Sequence, residues 1–314
     1  MNSPDPLLDI SNLSITFLSD GIKIPAVSGF SCRITQGTCT AIIGESGCGK
    51  SVVAHAILRL LPKNSLVEGE IIFKNLNIYR LNERTLQSIR GNEIGIMFQS
   101  PDRALNPIYR LYHQILGPLD IHKVVPVQES EAHIYKALRK AGFSDPEHSS
   151  RLYPCHCSGG MNQRAVTAII LSLEPDLVIA DEPTKGLDRS RILDIQASLQ
   201  EILHENRTLL LITHDIRLAH AIAHQIVVMY AGEIVEAGPV NAILSSPSHP
   251  YTRGLIQSLP ENGFNPIPGC APPLTSLPEG CRFADRCYQA TKMCHKRPAN
   301  LTHVNGRMIR CHRY

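Results

Sequence analysis

Residues Gly44 to Ser51 read GESGCGKS, a spacing suited to holding a chain of phosphates. Glycines at these positions let successive backbone N–H groups turn toward an anion. Lys50 is placed to reach the β- and γ-phosphates, and the Ser51 hydroxyl to bind Mg²⁺. Further along, the apolar run LVIA ends in Asp181 followed at once by Glu182. Asp181 suits the Mg²⁺ charge, and Glu182 is placed to polarise an attacking water. His214 closes a second apolar run, TLLLIT, where a γ-phosphate contact is expected. Gln99 follows EIGIMF and joins the same set. The chemistry these residue types point to is attack of water on the terminal phosphate of a nucleotide.

Other residues offer metal chemistry. In PCHCSGGMNQRA, Cys155 and Cys157 flank His156, but ligands crowded on one loop with no second pair nearby make a poor metal site. His220 and His224 have the spacing of a zinc helix, yet no Glu follows the first histidine. Cys281, Cys287, Cys294 and Cys311 crowd the end of the chain with spacings that match neither a ferredoxin nor a paired zinc finger. Four cysteines in a proline-rich segment with little apolar core suggest a staple. Free thiols are the alternative.

These residues need a frame. The strand TAIIG precedes the phosphate loop, and SVVAHAILRLL reads as a helix running on from it until Pro62. LLDISNLSITFL, AVSGFSCRI, GEIIFKNLNI, EIGIMFQ, DLVIAD and TLLLITH read as strands, and QIVVMYAGEIVEAG as a hairpin. EAHIYKALRKAGF is an amphipathic helix within a helical stretch at about 102–160. The alternation predicts an α/β core with a largely parallel sheet, interrupted by that helical insert. Residues 260–278 hold six prolines and read as an irregular linker. The expected division is an ATPase domain over 1–245 and an extension over 246–314.

Composition bounds the rest. The chain of 314 residues is 43% hydrophobic with a net charge of +3, too mildly basic to argue for nucleic acid. No apolar run reaches the length of a membrane span, and no secretory signal is visible, so a cytosolic protein with reduced cysteines is the expectation.

The ordered set of phosphate loop, Gln99, CSGGM, LVIADEP, KGLD and His214 resembles the ATP-binding-cassette ATPases over roughly residues 8–260. The resemblance implies a RecA-like phosphate-loop core with an antiparallel β subdomain and a helical insert. It implies that Gly44, Glu45, Ser46, Gly47, Cys48, Gly49, Lys50, Ser51 and Val52 bind nucleotide, with Phe17 stacking on adenine or, equally, serving as core. Mg²⁺ would be held by Ser51, Gln99 and Asp181. Catalysis would fall to Glu182, His214, Gln99 and Lys50. CSGGM stands where the family has LSGGQ, so Ser158, Gly159, Gly160 and Met161 would bind the γ-phosphate held by an opposing subunit. Asp188 would bridge that dimer. Lys185 replaces the family's usual small residue, a departure that bears on the same interface.

QSPDRALNPIYRLYHQI, SSPSHPYTRGLIQSLP and the cysteine-bearing tail resemble the dipeptide, oligopeptide and nickel importer ATPases. That resemblance implies a subunit at the cytoplasmic face of the cell membrane, with residues 101–114 touching a permease. Its partners would be a second cassette ATPase that is a distinct paralogue, two permease subunits and an extracytoplasmic binding protein, with no nucleic acid. It also implies a [4Fe–4S] cluster on Cys281, Cys287, Cys294 and Cys311, favoured over zinc. Dipeptide or oligopeptide import is the leading reading, and nickel import the alternative. A soluble cassette ATPase fits less well. The stretch between Ser51 and Ser158 has no coiled-coil heptads, and the chain has one cassette.

Overall fold

The computed structural model describes residues 6–97, 104–186 and 189–314, and the chain falls into two compact units. The first comprises residues up to Thr35, Cys39–Arg80 and Leu211–Tyr314. The second comprises Gln36–Thr38 and Leu81–Leu210.

The first unit opens with an antiparallel sheet of order β2-β1-β4-β5, from β1 (Leu8–Ser19), β2 (Ile22–Ile34), β4 (Ser65–Phe73) and β5 (Leu76–Asn77). Leu8, Ile10, Leu13 and Ile15 of β1 are buried. The register shifts between Ile10 and Leu13, where Asn12 takes a φ of 50°, so one extra residue restores the inward phase. Strand β3 (Cys39–Ile43) is buried throughout and pairs in parallel with β9 (Gln225–Tyr230), as the apolar runs lead one to expect. β9 turns back antiparallel into β10 (Glu233–Pro239), the expected hairpin. β10 pairs with β12 (Arg307–Arg310), which pairs with β11 (Leu301–Val304).

Helix α1 (Lys50–Ile57) follows the phosphate loop but is shorter than its apolar pattern suggests. It ends at Leu58, and Arg59 enters the left-handed region at φ 50°, well before Pro62.

In the second unit β6 (Ile94–Met97) runs parallel to β7 (Leu177–Asp181), which is buried from end to end. Among the described residues its helices include α2 (Glu83–Ile89), α3 (Leu111–His122), α4 (Ser130–Lys140), α5 (Pro146–Ser150), α6 (Gly159–Ser172) and α7 (Arg189–His204). α4 buries Ile134, Ala137 and Leu138, the face its periodicity assigns. Strand β8 (Thr208–Thr213) is wholly buried.

The remaining helices of the first unit are α8 (Ile216–Ile222), α9 (Val240–Ser245), α10 (Pro250–Gln257) and α11 (Lys292–Lys296). α8 stops at Ile222, so His220 and His224 do not share a helix. His224 Nδ1 instead accepts the Cys39 N–H at 3.0 Å. Among the described residues no helix is long and apolar enough to cross a membrane.

Candidate functional site

The phosphate loop is built by close backbone approach. Gly44 lies so near strand β9 that a Cβ would stand 2.2 Å from the Met229 carbonyl oxygen, and at Gly49 a Cβ would stand 2.5 Å from that of Ala26. Only glycine fits either position, and both have positive φ. Lys50 is buried and donates from Nζ to the carbonyls of Gly44 at 2.8 Å and Glu45 at 3.0 Å, so its cation is folded into the loop. Ser46 and Gly47 are exposed at the tip, Cys48 and Gly49 are buried, and Ser51 and Val52 are half-buried on α1. Burial raises the Cys48 thiol above its ordinary range. Phe17 is half-buried on β1, opposite Ile24 and Ser65.

The loop rests on residues that sequence patterns do not reveal. The Glu45 N–H donates to the hydroxyl of Tyr251 at 2.9 Å, and Tyr251 is fully buried at the start of α10. Its ring packs on Tyr230 and Phe283, with centroids 4.6 Å and 5.3 Å away. Burial, foremost, pushes the Tyr251 hydroxyl far above the usual phenol range, so it stays neutral. His214 is exposed just after β8, and Asp215 beside it caps α8 by accepting the N–H groups of Arg217 and Leu218.

In the second unit Asp181 ends β7 at 5% exposure, and Glu182 follows at 7%. Glu182 takes a φ of 49°, and its carbonyl accepts the Lys185 N–H at 3.2 Å, which closes a tight turn. Gln163 of α6 donates to the Pro183 carbonyl at 3.1 Å and ties that helix to the same turn. Ser158 is the N-cap of α6, its hydroxyl accepting the Met161 N–H at 3.3 Å. Ser158 and Gly159 are exposed, Gly160 and Met161 half-buried, so the N-terminus of α6 opens toward solvent. Cys155 and His156 are exposed on the preceding turn. Gln99 and Asp188 lie outside the described residues.

Cys281, Cys287, Cys294 and Cys311 come together to line one small cavity with Phe283 and Ala284. Burial is the first cause raising the thiols of Cys281, Cys287 and Cys311, and the neighbouring cysteines add to it. Cys281 is pushed up to about 11. Thiols raised by burial stay protonated and unreactive, although sulfur is the donor type a soft metal takes. Among the described residues, however, no group of three or more His, Cys, Asp or Glu is arranged to hold a metal ion. Mg²⁺ needs no such group, because it takes one or two protein oxygens together with substrate phosphates and waters.

The ABC transporter family matches residues 27–185, and the oligopeptide/dipeptide transporter C-terminal region matches residues 235–294. The oligopeptide transport ATP-binding protein AppD of Bacillus subtilis is 38% identical over 321 residues, covering 98% of this chain and 97% of the relative. The dipeptide transport ATP-binding protein DppD of the same organism is 38% identical over 304 residues, covering 93% and 90%. Among solved structures, the dimeric post-hydrolysis state of the ATP-binding cassette MJ0796 bound to ADP and Pi superposes with a TM-score of 0.66. The sequences are 26% identical, and the match covers 74% of this chain and 98% of the other.

Proposed function

Because this chain belongs to the ABC transporter family, with relatives 38% identical over nearly its whole length, we propose that it is the ATP-hydrolysing subunit of a peptide importer. One observation carries the substrate class. The tail matches the oligopeptide/dipeptide transporter C-terminal region, and both Bacillus relatives are peptide transport subunits. The domains we assign are the ATPase over 1–245, including the helical insert at 102–160, and the extension over 246–314.

Each site residue takes the role the family pattern implies. Lys50 and the N–H groups of the phosphate loop bind the β- and γ-phosphates, and Phe17 stacks on adenine. Ser51, Asp181 and Gln99 are assigned to Mg²⁺, which offsets phosphate charge. Glu182 accepts a proton from the attacking water, and His214 contacts the γ-phosphate. Ser158, Gly159, Gly160 and Met161 offer the open end of α6 to a nucleotide on a second cassette, and Asp188 lies at that dimer interface. The buried setting of Asp181 and Glu182 supports their part, since a carboxylate shielded from bulk water interacts more strongly with a cation or a proton.

Coupling to a permease is assigned to residues 101–114. Residues 101–103 lie outside the described residues, but the remainder forms a pinned turn. Gln114 accepts the Asn106 N–H at 2.8 Å and donates to the carbonyls of Asn106 and Tyr109 at 3.1 and 2.9 Å. Ile108 is 73% exposed and Tyr109 52% exposed, an apolar pair held outward that suits a cytoplasmic helix of a membrane partner. The subunit would then sit at the cytoplasmic face of the membrane, beside a paralogous ATPase and two permease chains, supplied by an extracytoplasmic binding protein.

For the four cysteines we favour a [4Fe–4S] cluster over a single zinc ion, as the resemblance of the cysteine-bearing tail implies. Iron and acid-labile sulfide in anaerobically purified protein test this, and protein containing neither would end it. The function is tested by uptake of labelled short peptides and labelled nickel in cells lacking the gene, with re-expression as control. Loss of peptide uptake alone is expected. Loss of nickel uptake alone would reassign the substrate, and no change in either would overturn the importer reading.

A further inference from the structure

The cysteine-bearing tail touches the phosphate loop directly. Arg286, with its side chain 7% exposed, donates from Nη1 to Glu45 Oε2 at 2.8 Å and from Nη2 to Oε1 at 2.9 Å. This two-point fork holds the carboxylate in one plane. The guanidinium is itself fixed by donating to the Pro268 carbonyl at 2.9 Å and the Tyr230 hydroxyl at 3.2 Å. Glu45, the second residue of GESGCGKS, is therefore held at three points. Its amide is held by Tyr251, its carbonyl by Lys50 and its carboxylate by the tail.

The other side of the same segment faces the thiols. Arg286 ends a single helical turn, Ala284–Arg286, between Cys281 and Cys287, and both cysteines line the four-thiol cavity. Arg282, one step after Cys281, anchors the segment through Ser28 Oγ at 3.0 Å and Glu233 at 3.5 Å. Cys287 is the residue next to Arg286, so a change there acts directly on the residue that carries the fork.

We propose that Arg286 is a positioning residue for the phosphate loop, and that through it the state of the four-thiol cavity sets affinity for nucleotide phosphates. The inference rests on the loop binding ATP as proposed above. A carboxylate in a phosphate-binding loop repels its ligand unless a cation neutralises it, and Arg286 does so while fixing the loop's curvature. If the turn at Cys287 shifts, Glu45 is released as an unpaired anion beside the phosphates.

Nucleotide titration of the full chain, with melting followed in parallel, tests this. Arg286→Gln is expected to raise Kd for ATP on the order of tenfold. AMP affinity should not change. The double variant Arg286→Gln with Glu45→Gln should recover most of the loss, because the exposed anion is gone. Arg286→Lys keeps the charge without the fork and should give an intermediate Kd with an unchanged melt, which separates positioning from folding. Cys287→Ser should weaken ATP binding in the wild-type background and add nothing in Arg286→Gln. Wild-type ATP affinity in Arg286→Gln would overturn the positioning role, and unchanged or additive effects of Cys287→Ser would overturn the link to the cavity. Should the unaltered chain bind no ATP, the nucleotide assignment itself falls.

Discussion

Glu182 carries a left-handed backbone that a glutamate rarely adopts, at a cost of about 1–3 kcal/mol. The turn that holds it is fixed by the Lys185 N–H and by Gln163 on the Pro183 carbonyl, so the strain is sustained by its surroundings. Glu182→Gln keeps the shape and removes the carboxylate proposed to accept a proton. Steady ATP turnover should drop about 10²-fold or more while ATP binding persists. Lys50→Ala should instead raise the Kd itself, since it removes the cation that bonds the Gly44 and Glu45 carbonyls. Hydrolysis at the normal rate by the Glu182→Gln protein would move the base elsewhere. At this scale the motif residues were legible because each motif is a short contiguous string with one chemical use. Arg286 and Tyr251 were not. Arg286 meets Glu45 across 241 positions and Tyr251 meets it across 206, and no local pattern encodes a contact at that distance.

Helix α6 shows how an element's end can be probed apart from its chemistry. Ser158→Ala removes the cap on the Met161 N–H and should cost about 1 kcal/mol, whereas Ser158→Gly should cost only a few tenths. Both lose the hydroxyl expected to meet a γ-phosphate. Equal losses of ATPase activity with a lower melting temperature for the alanine variant would separate the two roles. Activity that tracks melting temperature would reduce Ser158 to a cap. Element type was readable from continuous apolar runs in β3, β7 and β8 and from periodicity in α4, whose buried positions follow these patterns. Element ends were not. α1 stops at Ile57 because Arg59 turns left-handed, and α8 releases His224 to serve the Cys39 N–H. Backbone reversals of this kind leave little mark on hydrophobic periodicity.

Across the whole molecule, acid should act through His249. It is 2% exposed, and its Nδ1 must be unprotonated to accept the Tyr251 N–H at 3.1 Å and cap α10. Burial, foremost, pushes His249 down to about 4 from its ordinary 6.5, opposed by a hydrogen bond to the Arg310 backbone and aided by a smaller effect of the Arg310 charge. Nearby, Glu236 is fully buried and accepts the Ser248 and His249 N–H groups at 2.8 and 2.9 Å. The unfolded chain takes up the imidazole proton before the folded one does. Stability from this group is therefore complete above pH 6.5 and declines as pH falls toward 4. The full loss is about 3 kcal/mol. Denaturant midpoints measured across that range should fall less steeply for His249→Asn than for the native chain. Parallel curves would assign the acid response to other groups.

The pairing of β12 with β10 has a consequence for anyone shortening this chain. β10 would otherwise present an open row of amide and carbonyl groups, the template on which a neighbouring chain can add a strand. β11 and β12 cover it with a four-residue border, too short to recruit much. Arg307 and Arg310 fasten that cover to the carbonyls of Ala242 and Ile234. Removing residues 299–314 takes Cys311 out of the four-thiol cavity and should yield a protein that self-associates, because its sheet has lost its hem.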